Sequence, residues 1–429
     1  MISTTKFLVD VFDNGANGNG VAKQDGLVCF VPYSIAGEKV LVHANQFAKN
    51  YCECSLDEVV VASHERTKAR CSYFEKCGGC QLQHMSQNAQ LNFKTNQLKS
   101  ILTKALKKTI DVLPCICENE FGYRNKVNFQ IVDDTLCFSD NNQKFFPVKN
   151  CLLFEKDLTE IIQIVNAFLK STQTNFRAFH VRILDEVFQF TFVSNSFDFP
   201  HSKHLISNFL QKNINFSLNL CKNESISSSN ITDDVICVYG EKEQSHSVLG
   251  IQSKVSPASF LQVNKLVQNK IYEDINSQIL ANSLVINAYG GTGILSGVLS
   301  KKARRVYSVE INKATAHDCE NLIKTNNLKN VISICGDCKN EIPKLLQKEK
   351  ISHIVFDPPR NGIHKNILDL ILKLDISNII YLSCNPSTLA RDLNILSKKY
   401  EIARVQPYDM FPQTHHVETL VTLTNKNFK

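Results

Sequence analysis

The sequence has no long apolar run, since no stretch approaches the roughly 18–20 apolar residues that a membrane-spanning helix needs. Its first residues, Met1 to Thr5, also lack the basic start and apolar core of a secretory signal. Its 16 cysteines are scattered along the chain. In a secreted protein they would suggest disulfides, but here they fit metal or thiolate chemistry in a reducing compartment better. We therefore expect a cytoplasmic protein with no membrane partner.

Acidic residues are missing from one long segment. Lys76 to Ile110 contains six lysines and no Asp or Glu, in a chain of 429 residues with net charge +7 and a pI near 8.6. Such a local positive field suits phosphates, although a solvated helix face is an equally good interpretation. The hydrophobic fraction of 43% and charged fraction of 21% are those of a soluble globular protein. The length allows two or three domains.

Residues 1–62 show short apolar runs separated by turn signals, which predicts a small β-barrel. The run from Gly18 to Gly26, followed by Val31-Pro32 and by Gly37 to Val40, resembles a TRAM domain. A TRAM domain is an OB-like RNA-binding barrel found in RNA-modifying enzymes. The resemblance implies that this region binds RNA.

Residues 63–255 form a predicted α+β central region. Leucines at helical spacing predict an amphipathic helix over 85–108, which could pack on the C-terminal domain. It carries the predicted RNA-binding lysines: Lys94, Lys99, Lys104, Lys107 and Lys108. The polar, Ser- and Asn-rich stretch from Asn213 to Asp234 predicts a loop.

Residues 256–429 alternate between strand-like and helical patterns, which predicts an open parallel sheet with helices on both faces. The predicted strands are 284–287, 306–310, 331–335, 353–357 and 379–383. The final run, Val417 to Leu423, follows a loop rather than a helix, so we expect it to insert antiparallel. The fold class is therefore α/β.

A candidate nucleophile follows the fifth of these strands, in the turn Ser383-Cys384-Asn385-Pro386. Cysteine attacks as the thiolate, and turns at strand ends hold side chains toward a ligand crevice. A free cysteine is more often a small core residue. Two carboxylates favour the functional interpretation here, because Asp357 ends the preceding strand and Glu418 comes shortly after.

Glycines follow the first strand in Asn287-Ala288-Tyr289-Gly290-Gly291-Thr292-Gly293. They let the backbone turn tightly against a ligand. The phosphate-binding pattern G-x-G-x-x-G is not completed, which favours S-adenosylmethionine over a dinucleotide. Glu310 ends the next strand, where a carboxylate can accept ribose hydroxyls, and Asp337 follows the third strand, where it could meet the adenine amino group.

Together these motifs closely resemble the RNA uracil-5 methyltransferases, which form 5-methyluridine. The resemblance also rests on Ser259 to Asn264 and on Asp409-Met410-Phe411-Pro412. It implies a class I, Rossmann-like methyltransferase domain that acts on an unpaired or flipped uridine. It further implies that Cys384 attacks C6, that Glu418 removes the C5 proton, and that S-adenosylmethionine is held by five residues: Gln262, Tyr289, Glu310, Asp337 and Asp357.

The TRAM-like start and a cysteine cluster resemble the bacterial branch that acts on 23S ribosomal RNA. Two alternatives stay open, namely a tRNA uracil-5 methyltransferase and a catalytically weak RNA-binding assembly factor. RNA cytosine-5 enzymes typically add a Pro-Cys dipeptide, which is absent. We expect a monomer. The chain departs from the family at Asn287, Gly290 and Ile294, in the turn where the cofactor is expected to bind, so these residues bear on its cofactor affinity.

The cysteine cluster begins with Cys71, Cys77 and Cys80, spaced C-x5-C-x2-C around Gly78-Gly79. A cubane of four irons and four sulfurs needs a fourth thiolate. By resemblance this is Cys151, while spacing alone leaves three competitors: Cys115, Cys117 and Cys137. Zinc is the main alternative to iron and sulfur. The radical S-adenosylmethionine pattern C-x3-C-x2-C is absent.

Overall fold

The structure, a computed structural model, describes residues 6–225 and 230–428. Its first region is a six-stranded sheet in the order β1-β5-β6-β4-β3-β2. The strands are β1 Lys6–Asp10, β2 Asp13–Asn14, β3 Gly20–Gln24, β4 Leu27–Val31, β5 Lys39–Phe47 and β6 Tyr51–Val61. The β4–β6 pair is parallel and the others are antiparallel. The predicted all-β character is confirmed for the described residues, while residues 1–5 of the predicted domain lie outside them.

The central region is built on a seven-stranded sheet in the order β13-β12-β11-β10-β7-β8-β9. Its elements are β7 Lys126–Val132, β8 Thr135–Ser139, β9 Phe145–Pro147, α2 Thr159–Ser171, β10 Ala178–Leu184, β11 Val187–Ser194, α3 Ser202–Gln211, β12 Phe216–Lys222 and β13 Val235–Tyr239. Helices α2 and α3 cover a core of phenylalanine rings in mutual contact that includes Phe179, Phe190 and Phe192. Each such side chain stabilises the fold by about 1.5–3 kcal/mol on burial.

The loop predicted over Asn213 to Asp234 is wrong in part, because β12 lies within it. Phe216, Leu218 and Leu220 alternate with small polar residues, and nearly the whole strand is buried between β11 and β13. The polar members of that alternation find partners inside the protein, since the Asn219 amide donates to the Phe190 carbonyl at 3.1 Å. Residues 226–229 of the predicted loop lie outside the described residues.

Helix α1, Gln87–Leu106, confirms the helix predicted over 85–108. Ser86 caps it by accepting a hydrogen bond from the Ala89 amide at 3.1 Å. Leu98 and Leu102 are fully buried and belong to the core of the C-terminal sheet. The helix therefore packs on the C-terminal domain. The hairpin of β14 Gln244–Val248 and β15 Ile251–Val255 packs into that domain's other core.

The C-terminal sheet has the order β18-β17-β16-β19-β20-β22-β21. Helix α4, Lys265–Ser277, precedes the sheet. The elements that follow it in chain order are β16 Leu284–Ala288, α5 Ile294–Leu299, β17 Arg305–Glu310, α6 Lys313–Thr325, β18 Val331–Cys335, α7 Cys338–Lys348, β19 His353–Phe356, α8 Lys365–Lys373, β20 Asn378–Ser383, α9 Pro386–Leu396, β21 Tyr400–Tyr408, β22 Glu418–Asn425 and a 3₁₀ turn Lys426–Phe428. The first five strands are parallel, and β22 inserts antiparallel between β20 and β21. The predicted sheet and its antiparallel final strand are confirmed.

Strand order reverses at the β16–β19 pair, where a ligand crevice opens at the carboxyl ends of the strands. The sheet has one buried apolar cluster on each face. Among the described residues, none of the helices has the length and apolar character required to cross a bilayer.

Candidate active site

Five of the predicted site residues lie at the carboxyl ends of neighbouring parallel strands. Tyr289 follows β16, Glu310 ends β17, Asp337 lies two residues beyond β18, Asp357 follows β19 and Cys384 follows β20. Parallel strands bring their carboxyl ends to one edge of a sheet. The topology therefore collects these five side chains along the crevice side of the domain.

Cys384 faces a cavity of about 230 Å³. Three parts of the chain build its walls. Arg360, His415 and His416 come from the C-terminal domain, Gln97 and Ile101 from α1, and Ala16 from the loop between β2 and β3. The thiol is half-buried rather than sealed in the core. A ligand that fills this cavity must therefore contact all three regions of the chain.

Polar contacts fix the turn that carries Cys384. Asn385 is the N-cap of α9, and its side chain accepts from the Ser387 amide at 3.0 Å, with Pro386 in the first turn. The Asn385 amide also donates to the Arg360 carbonyl at 3.1 Å, and the Thr388 hydroxyl donates to the same carbonyl at 3.1 Å. These bonds hold the Asp357 to Arg360 loop against the Cys384 turn.

Burial and neighbouring charges shift the pKa values of three groups at this site. Burial raises the pKa of the Cys384 thiol, and the neighbouring Glu418 and Asp357 add to this, while Arg360 lowers it. Burial raises the pKa of Glu418 to about 8, Asp357 contributes in the same direction, and Arg360 opposes them. Burial likewise raises the pKa of Asp357 to about 7. Perturbed groups of this kind are typical of catalytic sites.

His415 and His416 line this cavity, and burial favours the neutral form of both rings. Burial lowers the pKa of His416 to about 4, and the neighbouring His415 acts in the same direction. Burial also lowers the pKa of His415. The sequence predicts Glu418, and neither histidine, as the base, which leaves the two histidines as expected loop or RNA contacts. Their position in the wall of the Cys384 cavity is compatible with that role.

Lys94 does not belong to an exposed basic face, so this part of the prediction is wrong. Its ammonium is fully buried and forms an ion pair with Asp409 at 2.5 Å, as well as a bond to the Phe411 carbonyl at 3.3 Å. A buried ammonium needs such a partner. The other four predicted lysines are exposed: Lys99, Lys104, Lys107 and Lys108. The buried ion pair ties α1 to the segment that leads into Glu418.

The glycine turn after β16 is held by Glu310. One Glu310 carboxylate oxygen accepts from the Gly291 amide at 3.0 Å, and the other accepts from the Asn312 amide at 2.8 Å. Gly293 has a φ of 86°, and a Cβ there would overlap the Cys319 sulfur. Only glycine fits this position without strain.

Two departures from the family pattern have structural explanations. Asn287 is buried, and its amide donates to the Ser296 hydroxyl at 2.8 Å, which links β16 to α5. A neutral amide avoids burying an unpaired charge there. Ile294 is buried in the apolar cluster that contains α5. These two residues stabilise the turn from within the core.

The remaining predicted cofactor residues occupy defined positions. Asp337 is the N-cap of α7, and its carboxylate accepts from the Lys339 amide at 3.0 Å. Tyr289 is half-buried with a positive φ of 60°, a conformation that tight turns use. Gln262 lies in the loop between β15 and α4, where its backbone carbonyl accepts a hydrogen bond from the Asn125 side-chain amide at 3.0 Å.

The four predicted cluster cysteines line one cavity of about 460 Å³: Cys71, Cys77, Cys80 and Cys151. Burial raises the pKa of Cys80 to about 12, and charge on the other three thiols acts in the same direction. Arg124 lowers the pKa of Cys77 and Cys151, opposing the effect of burial, so a cation lies beside the group. Within the described chain, no Asp or Glu lines the cavity. The site thus offers four thiol groups with a positive charge beside them.

Of the three competing cysteines, all of which lie in described parts of the chain, only Cys137 also lines this cavity. Cys115 and Cys117 lie elsewhere, where burial raises their pKa and Asp409 acts in the same direction.

A separate thiol group in the first sheet has no counterpart among the sequence predictions. Cys29, Cys52 and Cys54 are buried there, with sulfurs 3.3 and 3.6 Å apart for the Cys29–Cys52 and Cys52–Cys54 pairs. Cys29 lies on β4, and Cys52 and Cys54 lie two residues apart on β6. The pairing of these strands places Cys29 opposite Cys52 and so brings the three thiols together. Burial raises the pKa of Cys29 to about 12, which fits core thiols.

Comparison with known proteins gives the family. Residues 86–426 match the family described as tRNA (Uracil-5-)-methyltransferase. The chain belongs to this family. It is 31% identical over 434 residues to an uncharacterized RNA methyltransferase of Clostridium tetani, covering 96% of this chain and 94% of that protein. It is also 31% identical over 442 residues to an uncharacterized RNA methyltransferase of Caldanaerobacter subterraneus subsp. tengcongensis, covering 97% of each.

The fold has a solved counterpart. The crystal structure of Pyrococcus abyssi tRNA (uracil-54, C5)-methyltransferase in complex with S-adenosyl-L-homocysteine matches with a TM-score of 0.77 and 24% identity. The match covers 97% of this chain and 99% of that one. The fold of the whole chain therefore resembles that of a methyltransferase.

Proposed function

We propose that the protein is an S-adenosylmethionine-dependent methyltransferase that forms 5-methyluridine in RNA, with Cys384 as the nucleophile. The observation that supports this best is the place of Cys384, a half-buried thiol directly after β20 that lines a cavity together with Arg360 and lies near Asp357 and Glu418. Family membership supplies the substrate atom, C5 of uracil. A structural cysteine would not need these neighbours.

The proposed chemistry begins with attack of the Cys384 thiolate on C6 of uracil. The C5–C6 double bond opens, and its electrons make C5 nucleophilic as part of an enolate. S-adenosylmethionine supplies the methyl group that C5 accepts. Glu418 then takes the proton from C5, the electrons of that C–H bond restore the double bond, and the bond to Cys384 breaks. The thiolate is regenerated, so Cys384 is not consumed.

Glu418 suits the role of a base that acts late. Its raised pKa, about 8, makes its carboxylate a stronger base than an exposed glutamate. Arg360, which lines the cavity, favours the ionised form. We therefore assign proton removal to Glu418 and place Asp357 beside the base or the cofactor.

We propose that the cofactor lies across the strand ends. Tyr289, Glu310 and Asp337 would hold its adenosine part, while Gln262 and Asp357 would lie nearer to the reacting end. The bond from the Gly291 amide to Glu310 supports this, because it presets the glycine turn against the carboxylate that would meet the ribose. The Pyrococcus abyssi protein is described in complex with the related S-adenosyl-L-homocysteine.

The proposed substrate is 23S ribosomal RNA, with the target uridine unpaired or flipped into the cavity. We propose that the first sheet is a TRAM-type barrel that contributes to RNA binding, that the protein acts as a monomer, and that it works in the cytoplasm. Transfer RNA is the second candidate. It is favoured by the fold match to a tRNA methyltransferase, which covers 97% of this chain. Because the match extends over nearly the whole chain, the first sheet is compatible with either RNA.

We also propose that Cys71, Cys77, Cys80 and Cys151 hold a cluster of four irons and four sulfurs. A single tetrahedral zinc ion requires sulfurs about 3.8 Å apart, given Zn–S bonds of about 2.3 Å. Among the described residues, only Cys29, Cys52 and Cys54 bring three ligand atoms within 4.8 Å of one another. The wider spacing of the four cavity cysteines favours a larger group than one ion.

Trapping with 5-fluorouridine RNA tests the proposed function. Fluorine at C5 cannot leave as a proton, so the wild-type protein should form a stable methylated adduct in the presence of S-adenosylmethionine. Cys384→Ala should form no adduct and no 5-methyluridine. Cys237→Ala, which removes an exposed thiol from β13, is the matched control and should react normally. Normal turnover by Cys384→Ala would refute the assignment.

Mapping 5-methyluridine in ribosomal and transfer RNA from a deletion strain would identify the RNA. Loss from 23S ribosomal RNA alone is the expected result. Loss from transfer RNA alone would favour the second candidate.

A further inference from the structure

A second cavity adjoins the one that contains Cys384. It has a volume of about 590 Å³ and lies between α1 and the loops of the first sheet. The two cavities share three wall residues, Ala16, Gln97 and Ile101. A group in the second cavity is therefore next to whatever occupies the Cys384 cavity. A volume of several hundred Å³ is typical of a specific small-ligand site.

One face of α1 supplies the polar wall of this second cavity. Phe93, Asn96, Gln97 and Ser100 all line it. Their spacing of three, four and seven residues places them on one side of the helix. This stripe combines an aromatic ring with amide and hydroxyl groups.

The wall has two kinds of polar side chain. Gln97 and Asn14 hold the structure together, because the Gln97 amide donates to the Gly15 carbonyl at 2.8 Å and the Asn14 amide donates to the Ser34 carbonyl at 3.0 Å. Asn96 and Ser100 are exposed, and neither forms a side-chain hydrogen bond with the described residues. These two side chains are therefore available to a ligand.

The charge of the wall argues against a phosphate. Asp13 is the one ionisable residue that the described chain contributes to it, and none of the described Lys or Arg residues lines the cavity. A phosphate group is normally met by cations or by a helix N-terminus. A neutral heterocycle with hydrogen-bonding edges fits an amide, a hydroxyl and a phenyl ring much better.

We propose that the second cavity binds the base of the nucleotide next to the target uridine. The base would lie against Phe93, and Asn96 and Ser100 would hydrogen bond to its edge. This inference rests on the proposed function, because the neighbouring nucleotide is defined by the uridine at Cys384. Single-stranded RNA is commonly read in this way, with unstacked bases on aromatic side chains and hydrogen bonds to their edges. Asn96 and Ser100 thus contribute to the choice of RNA sequence.

The test uses a panel of short RNAs that differ only at the nucleotides flanking the target uridine. Asn96→Ala and Ser100→Ala should each lower kcat/KM for the preferred RNA by roughly five- to tenfold, the loss of about one hydrogen bond. The change should lie in KM, with kcat retained at saturating RNA. Each variant should also discriminate less between bases at one flanking position.

Asn92→Ala is the matched control. Asn92 is an exposed amide one turn earlier on α1 and does not line the cavity. It should behave like the wild type. Lys99→Ala is a second control, because loss of an exposed lysine should weaken all RNAs alike and reduce the salt dependence without changing base preference.

The outcomes separate the inference from the proposed function. If the wild type forms the 5-fluorouridine adduct but Asn96→Ala and Ser100→Ala keep wild-type KM and base preference, the inference is wrong and the proposed function stands. If the wild type forms no adduct, the proposed function fails, and equilibrium binding of the same panel tests the cavity alone. A flanking-base preference in binding that Asn96→Ala removes would support the cavity as a base site, and an unchanged preference would overturn it.

Discussion

Replacement of Glu418 by glutamine should stop catalysis and stabilise the folded protein at alkaline pH. Glu418 is only 6% exposed, and burial raises its pKa from an ordinary 4.5 to about 8. The folded protein therefore keeps a proton that the unfolded chain releases as pH rises above 4.5. Because the unfolded state then binds fewer protons, the free energy of unfolding falls as pH rises through this window.

The size of the effect follows from the rise in the pKa of Glu418. A tenfold difference in proton affinity between the folded and unfolded states is worth about 1.4 kcal/mol, so the rise sets an upper limit of roughly 5 kcal/mol above pH 8. Asp357 contributes to the rise, and its own pKa of about 7 lies in the same range. Coupled groups share their titration. We therefore expect Glu418→Gln to raise the free energy of unfolding by on the order of 2 kcal/mol at pH 8.5, and by close to zero at pH 5.

The same variant should accumulate an intermediate. Without a base to remove the C5 proton, elimination cannot complete, so methylated RNA should stay on Cys384 and be visible as a slow band on a denaturing gel. Denaturant unfolding of the wild type and variant between pH 5 and pH 9 measures the effect on stability. Glu58→Gln, on the exposed side of β6, is the control and should leave the pH dependence unchanged.

Two results would contradict this reasoning. Equal unfolding free energies for wild type and Glu418→Gln at both pH values would mean that Glu418 is not held protonated by burial. Product release at the wild-type rate would mean that the base lies elsewhere.

Other contacts in the structure lead to three more predictions. Lys94→Met should destabilise the fold by about 3–5 kcal/mol, because it leaves Asp409 buried without its cation, and Lys94→Met combined with Asp409→Leu should recover much of the loss in denaturant unfolding. Gly293→Ala should weaken S-adenosylmethionine binding in calorimetry, because the new Cβ overlaps the Cys319 sulfur. Anaerobically purified protein should be brown and contain iron and sulfide, Cys151→Ser should lose both, and Cys137→Ser should keep them; one zinc ion in colourless wild-type protein would contradict the proposed cluster.

Local patterns in the sequence predict most of the C-terminal domain. Regular alternation of apolar strands and helices indicates the parallel sheet, and strand ends then locate Glu310, Asp357 and Cys384. Parallel strands make this inference possible, since their carboxyl ends must share one edge. The antiparallel direction of β22 is predicted because a loop, not a helix, precedes it. Strand β21 is not predicted, since Tyr400 to Tyr408 alternates polar and apolar residues only weakly.

The errors come from contacts between distant parts of the chain. Lys94 lies in a lysine-rich segment, and no local pattern shows that its partner, Asp409, is 315 residues away. Strand β12 falls within a predicted loop because serine and asparagine dominate its surroundings, although the polar side chains Ser217 and Asn219 of its interior are buried and bonded. Composition describes what a segment contains, and only the tertiary structure decides which polar groups find partners.

Helix α1 connects the first sheet with the C-terminal domain. Its apolar side packs in the C-terminal core through Leu98 and Leu102, and its buried Lys94 binds Asp409, which precedes Glu418 in the same segment. Its outer side lines both cavities and is bonded through Gln97 to the loop of the first sheet. A shift of the first sheet would therefore move the helix that packs on the segment leading into Glu418. If RNA binds between sheet and helix as proposed, its binding is physically connected to the position of Glu418, and Gln97→Ala should lower kcat as well as RNA affinity.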